Sequence, residues 1–339
     1  MAAERIVNNE WMPNLSPGFN VQEVRVAGNR GTCGGVNMSL AVVKQIMEIV
    51  PCDIDVWTTN TPVNFPPAFA QYGERLKVAD ADLATVPDRS VLIVSAHGSP
   101  PDVFDKAKRK DLFVIDTTCH FVKKEQEEVR KTAAAGIPII YLGEENHPET
   151  RGIQGQVKKE EIMVFNPNTP IPEDALIPDG AKLFVKTTND PEKNIQRASE
   201  LQKRAEIDIS RILPCYALNG RYAAGKPLAQ NVDFWLVVGD KTSNNARGLK
   251  ALATTDTRII PSALVASPEE INWSDFTPEI KIVGVTAAAS APEEFTQRVL
   301  DVFRHLGINV VELPKVIREN PTIFRLPKEQ LEALKQRFR

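Results

Sequence analysis

A cysteine at the end of a strand-like segment occurs three times in this sequence, and this recurrence limits the possible folds more than any other feature. Cys33 lies between the apolar run 24–28 and the segment 38–50, whose apolar residues recur at helical spacing. Cys119 and Cys215 also follow strand-like segments. The three cysteines are spaced roughly 90 residues apart, a length typical of one small α/β unit. The spacing therefore favours three α/β units that bring their cysteines to one centre as ligands.

The turn around Cys33 has two simpler explanations when it is taken alone. Its glycines are typical of a phosphate-binding loop in which the cysteine is incidental, and a small cysteine can also be an ordinary buried residue. A helix N-terminus would favour the thiolate form of a cysteine in this turn. Because the arrangement returns at Cys119 and Cys215, the ligand hypothesis is favoured over both explanations.

The composition is that of a globular protein and argues against several function classes. Apolar residues make up 42% of the 339 residues and charged residues 25%, as in ordinary folded domains. The net charge of −3 provides no overall positive field for nucleic acid or for an anionic membrane. The sequence contains no apolar run of about 20 residues and no signal-peptide pattern, so we expect a cytoplasmic protein without a membrane partner.

Strand-like segments, polar loops and helix-like segments alternate along the whole chain. This order predicts an α/β protein with mostly parallel sheets, divided into three similar α/β domains. The predicted divisions are a flexible leader at 1–20, α/β units at 21–118, 119–213 and 214–312, and a C-terminal tail at 313–339. The main predicted helices lie at 38–50, 68–76, 122–135 and 292–306, and the main predicted strands at 53–57, 89–95, 111–115, 138–142, 182–186, 208–213, 234–238 and 280–285.

The kind of metal centre follows from the number and spacing of the cysteines. In a cytoplasmic chain they are more often ligands or catalytic groups than disulfides, although Cys52, directly after Pro51, is expected to be structural or exposed. A structural zinc site takes four ligands, often as Cys-x-x-Cys pairs, and the sequence has no such pair. Three thiolates from separate units instead suit an iron–sulfur cluster whose fourth iron has no protein ligand and can act as a Lewis acid.

Polar side chains at the other strand ends suggest the substrate. In parallel sheets, ligands bind beyond the carboxyl ends of the strands. Hydroxyls, amides, imidazoles and helix N-termini at these positions would form an anion pocket, and a phosphate or diphosphate is its natural ligand. Glu149 and either Thr187 or Thr188 can carry protons to a leaving hydroxyl. The residues expected in the anion pocket are His97, His147, Ser243, Asn245 and Ser290.

Seven segments, in this order, resemble the motifs of the LytB/IspH family of 4-hydroxy-3-methylbut-2-enyl diphosphate reductases. The resemblance covers roughly residues 24–330. The first segment corresponds to a family motif that usually reads R-G-F-C-x-G-V. The segments are 30–36 (RGTCGGV), 95–98 (SAHG), 116–119 (DTTC), 146–149 (NHPE), 187–188 (TT), 238–245 (VGDKTSNN) and 286–292 (TAAASAP).

The resemblance implies a fold, a cofactor and a reaction. It implies a trefoil of three α/β domains around a 4Fe–4S cluster held by Cys33, Cys119 and Cys215, with one iron lacking a protein ligand. It implies reductive removal of the allylic hydroxyl of the substrate, giving isopentenyl and dimethylallyl diphosphates of the non-mevalonate pathway. Electrons would come from ferredoxin or flavodoxin.

The resemblance also implies roles for individual residues. Glu149 would deliver a proton, and Thr187 or Thr188 would contact the substrate hydroxyl. The residues implied to bind the diphosphate are His97, His147, Ser243, Asn244, Asn245 and Ser290.

Several positions depart from the family pattern. The loop 58–64 lacks the histidine that the family normally has there as a further diphosphate contact. Residues 217–222 (ALNGRY) replace the usual Ala-Thr-x-x-Arg-Gln, His120 replaces the proline after the second cysteine, and Thr32 replaces the phenylalanine before the first. A divergent reductase is therefore favoured. The alternatives are a paralogue that keeps the cluster but reduces a different phosphorylated alcohol, and a non-catalytic iron–sulfur sensor.

Overall fold

The computed structural model describes residues 5–7, 10–255, 257–319 and 326–338. The chain divides into two compact units, each assembled from separated stretches of sequence. The first unit takes its residues from 1–33, 64–68 and 216–320, and the second from 34–63, 69–215 and 321–339.

Strands and helices alternate through most of the described chain. The strands are β1 (Arg5–Val7), β2 (Glu10–Met12), β3 (Glu23–Val26), β4 (Val56–Thr58), β5 (Leu76–Val78), β6 (Val91–Val94), β7 (Phe113–Asp116), β8 (Ile139–Leu142), β9 (Ile162–Phe165), β10 (Ala181–Val185), β11 (Ile207–Arg211), β12 (Phe234–Val238), β13 (Ser262–Val265), β14 (Ile282–Ala287) and β15 (Asn309–Glu312). The α-helices are α1 (Gly34–Ile49), α2 (Pro101–Arg109), α3 (His120–Ala134), α4 (Pro148–Gln154), α5 (Pro191–Gln202), α6 (Tyr216–Ala229), α7 (Asn244–Ala251), α8 (Glu293–His305) and α9 (Lys328–Arg337).

The first unit is built on a five-stranded parallel sheet in the order β13-β12-β14-β3-β15. Its central strands β12 and β14 are mostly apolar and buried, as expected for strands covered on both faces. Trp235 on β12 is fully buried, and its indole N–H donates to the carbonyl of Leu249 in α7, 2.8 Å away. The N-terminal strand β3 lies between two strands from the C-terminal third of the chain. The two short strands β1 and β2 pair antiparallel with each other.

The second unit contains two four-stranded parallel sheets, ordered β5-β4-β6-β7 and β11-β10-β8-β9. The central strands β6 and β8 are completely buried. In the second sheet, Val185 at the end of β10 is in register with Leu142 at the end of β8. The loops that follow these two strands therefore begin side by side.

The prediction of three parallel-sheet α/β domains is confirmed, because each of the three large sheets is entirely parallel. The predicted strands and most predicted helices are found within a few residues of their expected bounds. Residues 66–75 differ, because they form a 3₁₀ helix that is interrupted at Gly73, where φ is +54°. The exact domain boundaries and the trefoil arrangement stay predictions. Residues 1–4 and 8–9 of the predicted leader lie outside the described residues.

Within the described part of the chain, every helix is too short or too polar to traverse a lipid bilayer.

Candidate active site

Each of the three predicted ligand cysteines directly precedes the first residue of a helix. Cys33 precedes α1, Cys119 precedes α3 and Cys215 precedes α6. None of these three cysteines is in a disulfide, and each has part of its surface exposed; Cys52 is exposed, as expected. The partial positive charge at a helix N-terminus stabilises negative charge on a neighbouring sulfur. Among the described residues, no group of three or more His, Cys, Asp or Glu side chains could hold a metal ion as they stand.

In the first unit, the backbone before Cys33 follows the end of strand β14. The N–H of Gly31 donates to the carbonyl of Ala287, and the N–H of Cys33 donates to the carbonyl of Ala289. Gly31 has a φ of +66°, which favours glycine at this position. The turn that carries Cys33 is thereby fixed to the loop that carries Ser290.

Two buried polar side chains hold this turn from the other side, and the sequence analysis did not identify either as important. The Asn29 side chain accepts hydrogen bonds from the N–H groups of Val316 and Ile317 and donates to the carbonyl of Ile317. The Arg221 guanidinium is fully buried and donates to the carbonyl of Gly31. It also contacts Glu319, with 2.7 Å between Nη1 and Oε1, and the carbonyl of Ala217 in the first turn of α6. We call residues 313–319 the C-terminal strap.

The predicted anion-binding residues of the first unit lie together. The hydroxyls of Ser243 and Ser290 are 3.4 Å apart, and Ser243 caps α7 by accepting from the N–H of Ala246. The Asn245 Oδ1 accepts from the N–H of Ala289, while its buried Nδ2 has no hydrogen-bond partner in the described structure. An unpartnered buried donor of this kind is costly unless a ligand accepts from it. The neighbouring Asn244 differs, because its side-chain oxygen accepts from Arg247.

In the second unit, Cys119 lies at the end of β7 against two backbone segments. Its N–H donates to the carbonyl of Ala96, 3.0 Å away, which places it beside the loop of His97. A Cβ at Gly35 in α1 would lie 2.8 Å from the Cys119 sulfur, which is closer than real Cβ atoms approach. The helix that follows Cys33 in the chain can therefore pack on Cys119 only because residue 35 is glycine.

His97, His147 and Glu149 form a continuous set in the second unit. The rings of His97 and His147 meet edge to face, with 5.4 Å between their centroids. His147 caps α4, because its Nδ1 accepts from the N–H of Glu149 at 3.2 Å. Loss of hydration and the nearby charge of Lys186 lower the pKa of His97 to about 4, so its imidazole is neutral at pH 7.

Glu149 is held by two donors from one residue. The Thr187 N–H donates to Oε1 at 2.6 Å, and the Thr187 hydroxyl donates to Oε2 at 2.9 Å. Glu149 is only 1% exposed, and burial raises its pKa above the ordinary value despite these donors and the nearby Lys186. The carbonyl of Thr187 accepts from the N–H of Cys215, so the acid and this cysteine share a neighbour. Thr188 is half-buried.

Several charged groups near Glu149 are not evident from the sequence. The Lys186 ammonium is fully buried and forms an ion pair with Glu144. Glu125 on α3 pairs with Arg211 at 3.2 Å, and burial raises the pKa of Glu125 to about 7. The sequence feature that could have indicated Lys186 is its position directly after the apolar end of a strand.

In the loop that lacks the family histidine, two threonine hydroxyls form hydrogen bonds with backbone groups. The Thr58 hydroxyl donates to the carbonyl of Asn60 at 2.6 Å, and the Thr59 hydroxyl accepts from the N–H of Ser95 at 3.2 Å. Val63 is 2% exposed, so this part of the loop presents an apolar residue to the interior.

A family model described as LytB protein matches residues 24–304, which is most of the chain. The chain belongs to the LytB family. It is 31% identical to a 4-hydroxy-3-methylbut-2-enyl diphosphate reductase from Vibrio parahaemolyticus, over 91% of this chain and 98% of that protein. A reductase of the same name from Haemophilus influenzae is also 31% identical, with the same shares covered.

Two solved structures resemble the LytB chain in fold. The structure of E-1-hydroxy-2-methyl-but-2-enyl-4-diphosphate reductase from Plasmodium falciparum matches with a TM-score of 0.80 and 24% sequence identity. The match covers 94% of this chain and 100% of that chain. A structure described as (E)-4-hydroxy-3-methyl-but-2-enyl diphosphate reductase, the terminal enzyme of the non-mevalonate pathway, has a TM-score of 0.58 and 24% identity, and it covers 84% of this chain and 100% of its own.

Proposed function

We propose that this chain reduces 4-hydroxy-3-methylbut-2-enyl diphosphate, removing its allylic hydroxyl to give isopentenyl and dimethylallyl diphosphates. The LytB family model and the names of the curated relatives support this reaction. The observation that carries the proposal is Glu149, a buried carboxyl with a raised pKa that Thr187 holds with two hydrogen bonds. A carboxyl with a raised pKa keeps its proton to a higher pH than an exposed glutamate does, and it can donate that proton to a leaving hydroxyl.

The residues of the chain suit the cluster that the family implies. Three partly exposed cysteines outside any disulfide precede helices, and the absence of a side chain at Gly35 leaves room at the Cys119 sulfur. Cys33, Cys119 and Cys215 would hold a 4Fe–4S cluster with one iron lacking a protein ligand. When bound, the cluster supplies electrons and a Lewis-acidic iron.

The reaction consumes protons, and residues of the chain can supply one of them. Reductive removal of a hydroxyl consumes two electrons and two protons, because one proton leaves with the oxygen as water and the other ends on carbon. Glu149 donates the proton to the departing oxygen, and Thr187 keeps the carboxyl in a fixed orientation. Thr187 or Thr188 contacts the substrate hydroxyl. Ferredoxin or flavodoxin supplies the electrons in the cytoplasm.

The proposed diphosphate contacts rely on neutral donors. In the first unit, Ser243, Ser290 and the unpartnered Nδ2 of Asn245 offer hydrogen bonds, with Asn244 beside them. In the second unit, His97 and His147 offer imidazole N–H groups. Because the pKa of His97 is about 4, it donates as a neutral ring unless the bound anion raises that pKa.

Replacement of Glu149 tests the proposed function. Glu149→Gln keeps the shape of the side chain but removes the transferable proton, so we expect turnover to fall roughly 100-fold or more. The iron content should not change. The assay is oxidation of a reduced dye by anaerobic, reconstituted protein with the hydroxylated C5 diphosphate.

The matched control is Glu145→Gln in the loop before α4, because Glu145 is exposed. It should retain wild-type turnover. Wild-type turnover in Glu149→Gln would remove this carboxyl from the proton-transfer step. Complementation of a strain lacking its native reductase tests the same substrate in the cell.

A second candidate function rests on the loop 58–64. The Thr58 hydroxyl donates to the carbonyl of Asn60 within the loop, so it does not replace the missing histidine as a donor. A cluster-containing paralogue that reduces a different phosphorylated alcohol would share the other features. Iron-loaded wild-type protein that leaves the dye reduced in the presence of the C5 diphosphate would favour this paralogue, or a non-catalytic iron–sulfur sensor.

A further inference from the structure

Lys186 is among the largest fully buried side chains of the chain. Burial of an ammonium is strongly unfavourable unless a partner of opposite charge compensates for the lost hydration. Its partner is Glu144, which keeps 27% of its side chain exposed. Lys186 is therefore the buried member of this ion pair. The next residue in the chain, Thr187, binds Glu149.

Lys186 and Thr187 are consecutive residues, and both reach across to the same neighbouring loop. The N–H of Lys186 donates to the carbonyl of Leu142, which continues the pairing of β10 with β8. Beyond that point, Lys186 pairs with Glu144 and Thr187 binds Glu149. The loop after β8 is thus tied twice to the end of β10. One tie is an ion pair and the other holds the proposed acid.

Two other carboxyl groups interact electrostatically with Glu149. Glu144, in the loop before α4, raises the pKa of Glu149 by charge repulsion, and Glu149 in turn raises the pKa of Glu125 on α3. Arg211 compensates Glu125, with 3.2 Å between Nη2 and Oε2. The buried Tyr141 hydroxyl on β8 is neutral, because burial raises its pKa well above the ordinary value.

Two imidazoles also lie near Glu149. His97 is neutral at pH 7, since its pKa is about 4, and His147 uses its Nδ1 to cap α4. Lys186 is thus the buried positive charge that acts on both Glu149 and His97.

We propose that Lys186 is a positioning residue for the proton-transfer step: its ammonium stabilises the carboxylate that Glu149 becomes after donating its proton, and Glu144 holds that ammonium in place. This inference rests on the proposed role of Glu149 as the proton donor. In the step, two electrons, delivered one at a time by the external donor, break the C–O bond of the substrate, the proton of the Glu149 carboxyl joins the departing hydroxyl as water, and a second proton, from solvent, ends on carbon. The carboxylate then takes a new proton from solvent.

Two substitutions should shift the acidity of Glu149 in opposite directions. Lys186→Met removes a positive charge, so the Glu149 carboxyl should remain protonated to a pH about one unit higher. Glu144→Gln removes a negative charge while leaving the lysine, so protonation should be lost at a lower pH than in the wild type. Lys182→Met is the matched control, because Lys182 lies on the same strand and pairs with Asp208 on β11. It should leave the acidity of Glu149 unchanged.

The first measurement does not depend on reductase activity. The infrared carboxyl band of protonated Glu149, identified by its absence in Glu149→Gln, is followed across pH in each reconstituted variant. The proposal requires opposite shifts for Lys186→Met and Glu144→Gln. Shifts of the same sign, or none, would overturn it even if the protein proves to be an active reductase.

The second measurement is the pH profile of turnover. If Glu149 must be protonated to act, turnover declines above its pKa. Lys186→Met should therefore move the alkaline limb to higher pH and lower the plateau, and Glu144→Gln should move it to lower pH. A purely structural role for Lys186 would lower the plateau and leave the limb in place. Wild-type protein without turnover would contradict the proposed function while leaving the infrared test intact.

Discussion

Gly34 and Gly35 begin the same helix but have different neighbours. A Cβ at Gly34 would meet no atom within 4 Å, whereas a Cβ at Gly35 would lie 2.8 Å from the sulfur of Cys119 and 3.3 Å from its Cβ. Neither glycine has a positive φ, so the backbone alone tolerates alanine at both positions. The difference between the two positions is therefore one of contact with a proposed cluster ligand.

This contrast gives a prediction for cluster binding. Gly35→Ala should displace Cys119 and cause the reconstituted protein to lose most of its iron and its visible absorbance, as Cys119→Ser should. Gly34→Ala should bind wild-type amounts of iron and be as stable as the wild type, or up to about 1 kcal/mol more stable. Iron and sulfide analysis under anaerobic conditions checks both. Equal iron content in the two alanine variants would contradict a role for the close contact.

His97 supplies a second prediction at the residue scale, this time for stability. Its pKa is lowered from the ordinary value to about 4 in the folded protein, so the unfolded chain binds a proton more readily. The stabilisation from keeping this ring neutral is complete above pH 6.5 and is lost as the pH falls towards 4. Because the side chain is half-buried, we expect this loss to be roughly 1–3 kcal/mol.

The measurement is urea unfolding of the wild type and of His97→Gln between pH 4 and 7. Glutamine does not titrate, so the free energy of unfolding of this variant should depend less on pH across that range. Glu149 also titrates in the folded protein, but it is present in both proteins, and the difference between them isolates His97. Parallel pH dependences would contradict a depressed pKa at this residue.

Single residues also mark the limit of what the sequence predicts. The position after strand-like apolar runs identified the three cysteines, and the motif segments identified the strand-end donors. Lys186 follows such a run as well, but a lysine is expected to reach solvent. Its burial depends on Glu144, which lies 42 residues away in the chain. Asn29 and Arg221 bind backbone groups of distant segments, and their side chains alone do not reveal those partners.

At the scale of elements, buried parallel strands were the most predictable feature. β6, β8 and β12 are continuous apolar runs, as strands covered on both faces are. β15 has only two apolar residues, and its partner β3 lies at the other end of the chain, so its local pattern did not identify it. The 3₁₀ helix at Pro66–Arg75 was assigned as a regular helix because its apolar residues have helical spacing, while Gly73 interrupts it.

The structural importance of the C-terminal strap was not evident from the sequence. The strap was predicted as part of a tail, yet the N–H of Leu313 continues the pairing with β3 by donating to the carbonyl of Val26. Asn29 then binds the backbone of the strap, and Glu319 pairs with the buried Arg221. Removal of the strap would leave a buried guanidinium without its carboxylate, which is strongly destabilising.

At the scale of the whole molecule, the last residues of the chain serve both units. The strap belongs to the first unit and α9 to the second, where Arg337 donates to the carbonyls of Arg89 and Asp111. Each unit is also assembled from three stretches of the chain, so neither can be excised as one continuous piece.

Two truncations separate these roles. A chain ending at Glu319 loses α9 but keeps the strap, so amide hydrogens of residues 24–31 should exchange as slowly as in the full chain. A chain ending at Glu312 loses both, and those amides should exchange at least about 10-fold faster. Hydrogen exchange followed by mass spectrometry measures the difference. Equal protection of residues 24–31 in the two truncated chains would show that the strap does not hold the turn of Cys33.

The position of β3 between β14 and β15 bears on how the protein is made. A ribosome synthesises β3 and Cys33 early, but the strands that flank β3 emerge only near the end of translation. Until then, Cys33 follows a strand that has no pairing partner in the nascent chain. If Cys33 binds a cluster in its native setting, that cluster would therefore be inserted after translation, and the thiol would need protection from oxidation while the remaining chain is completed.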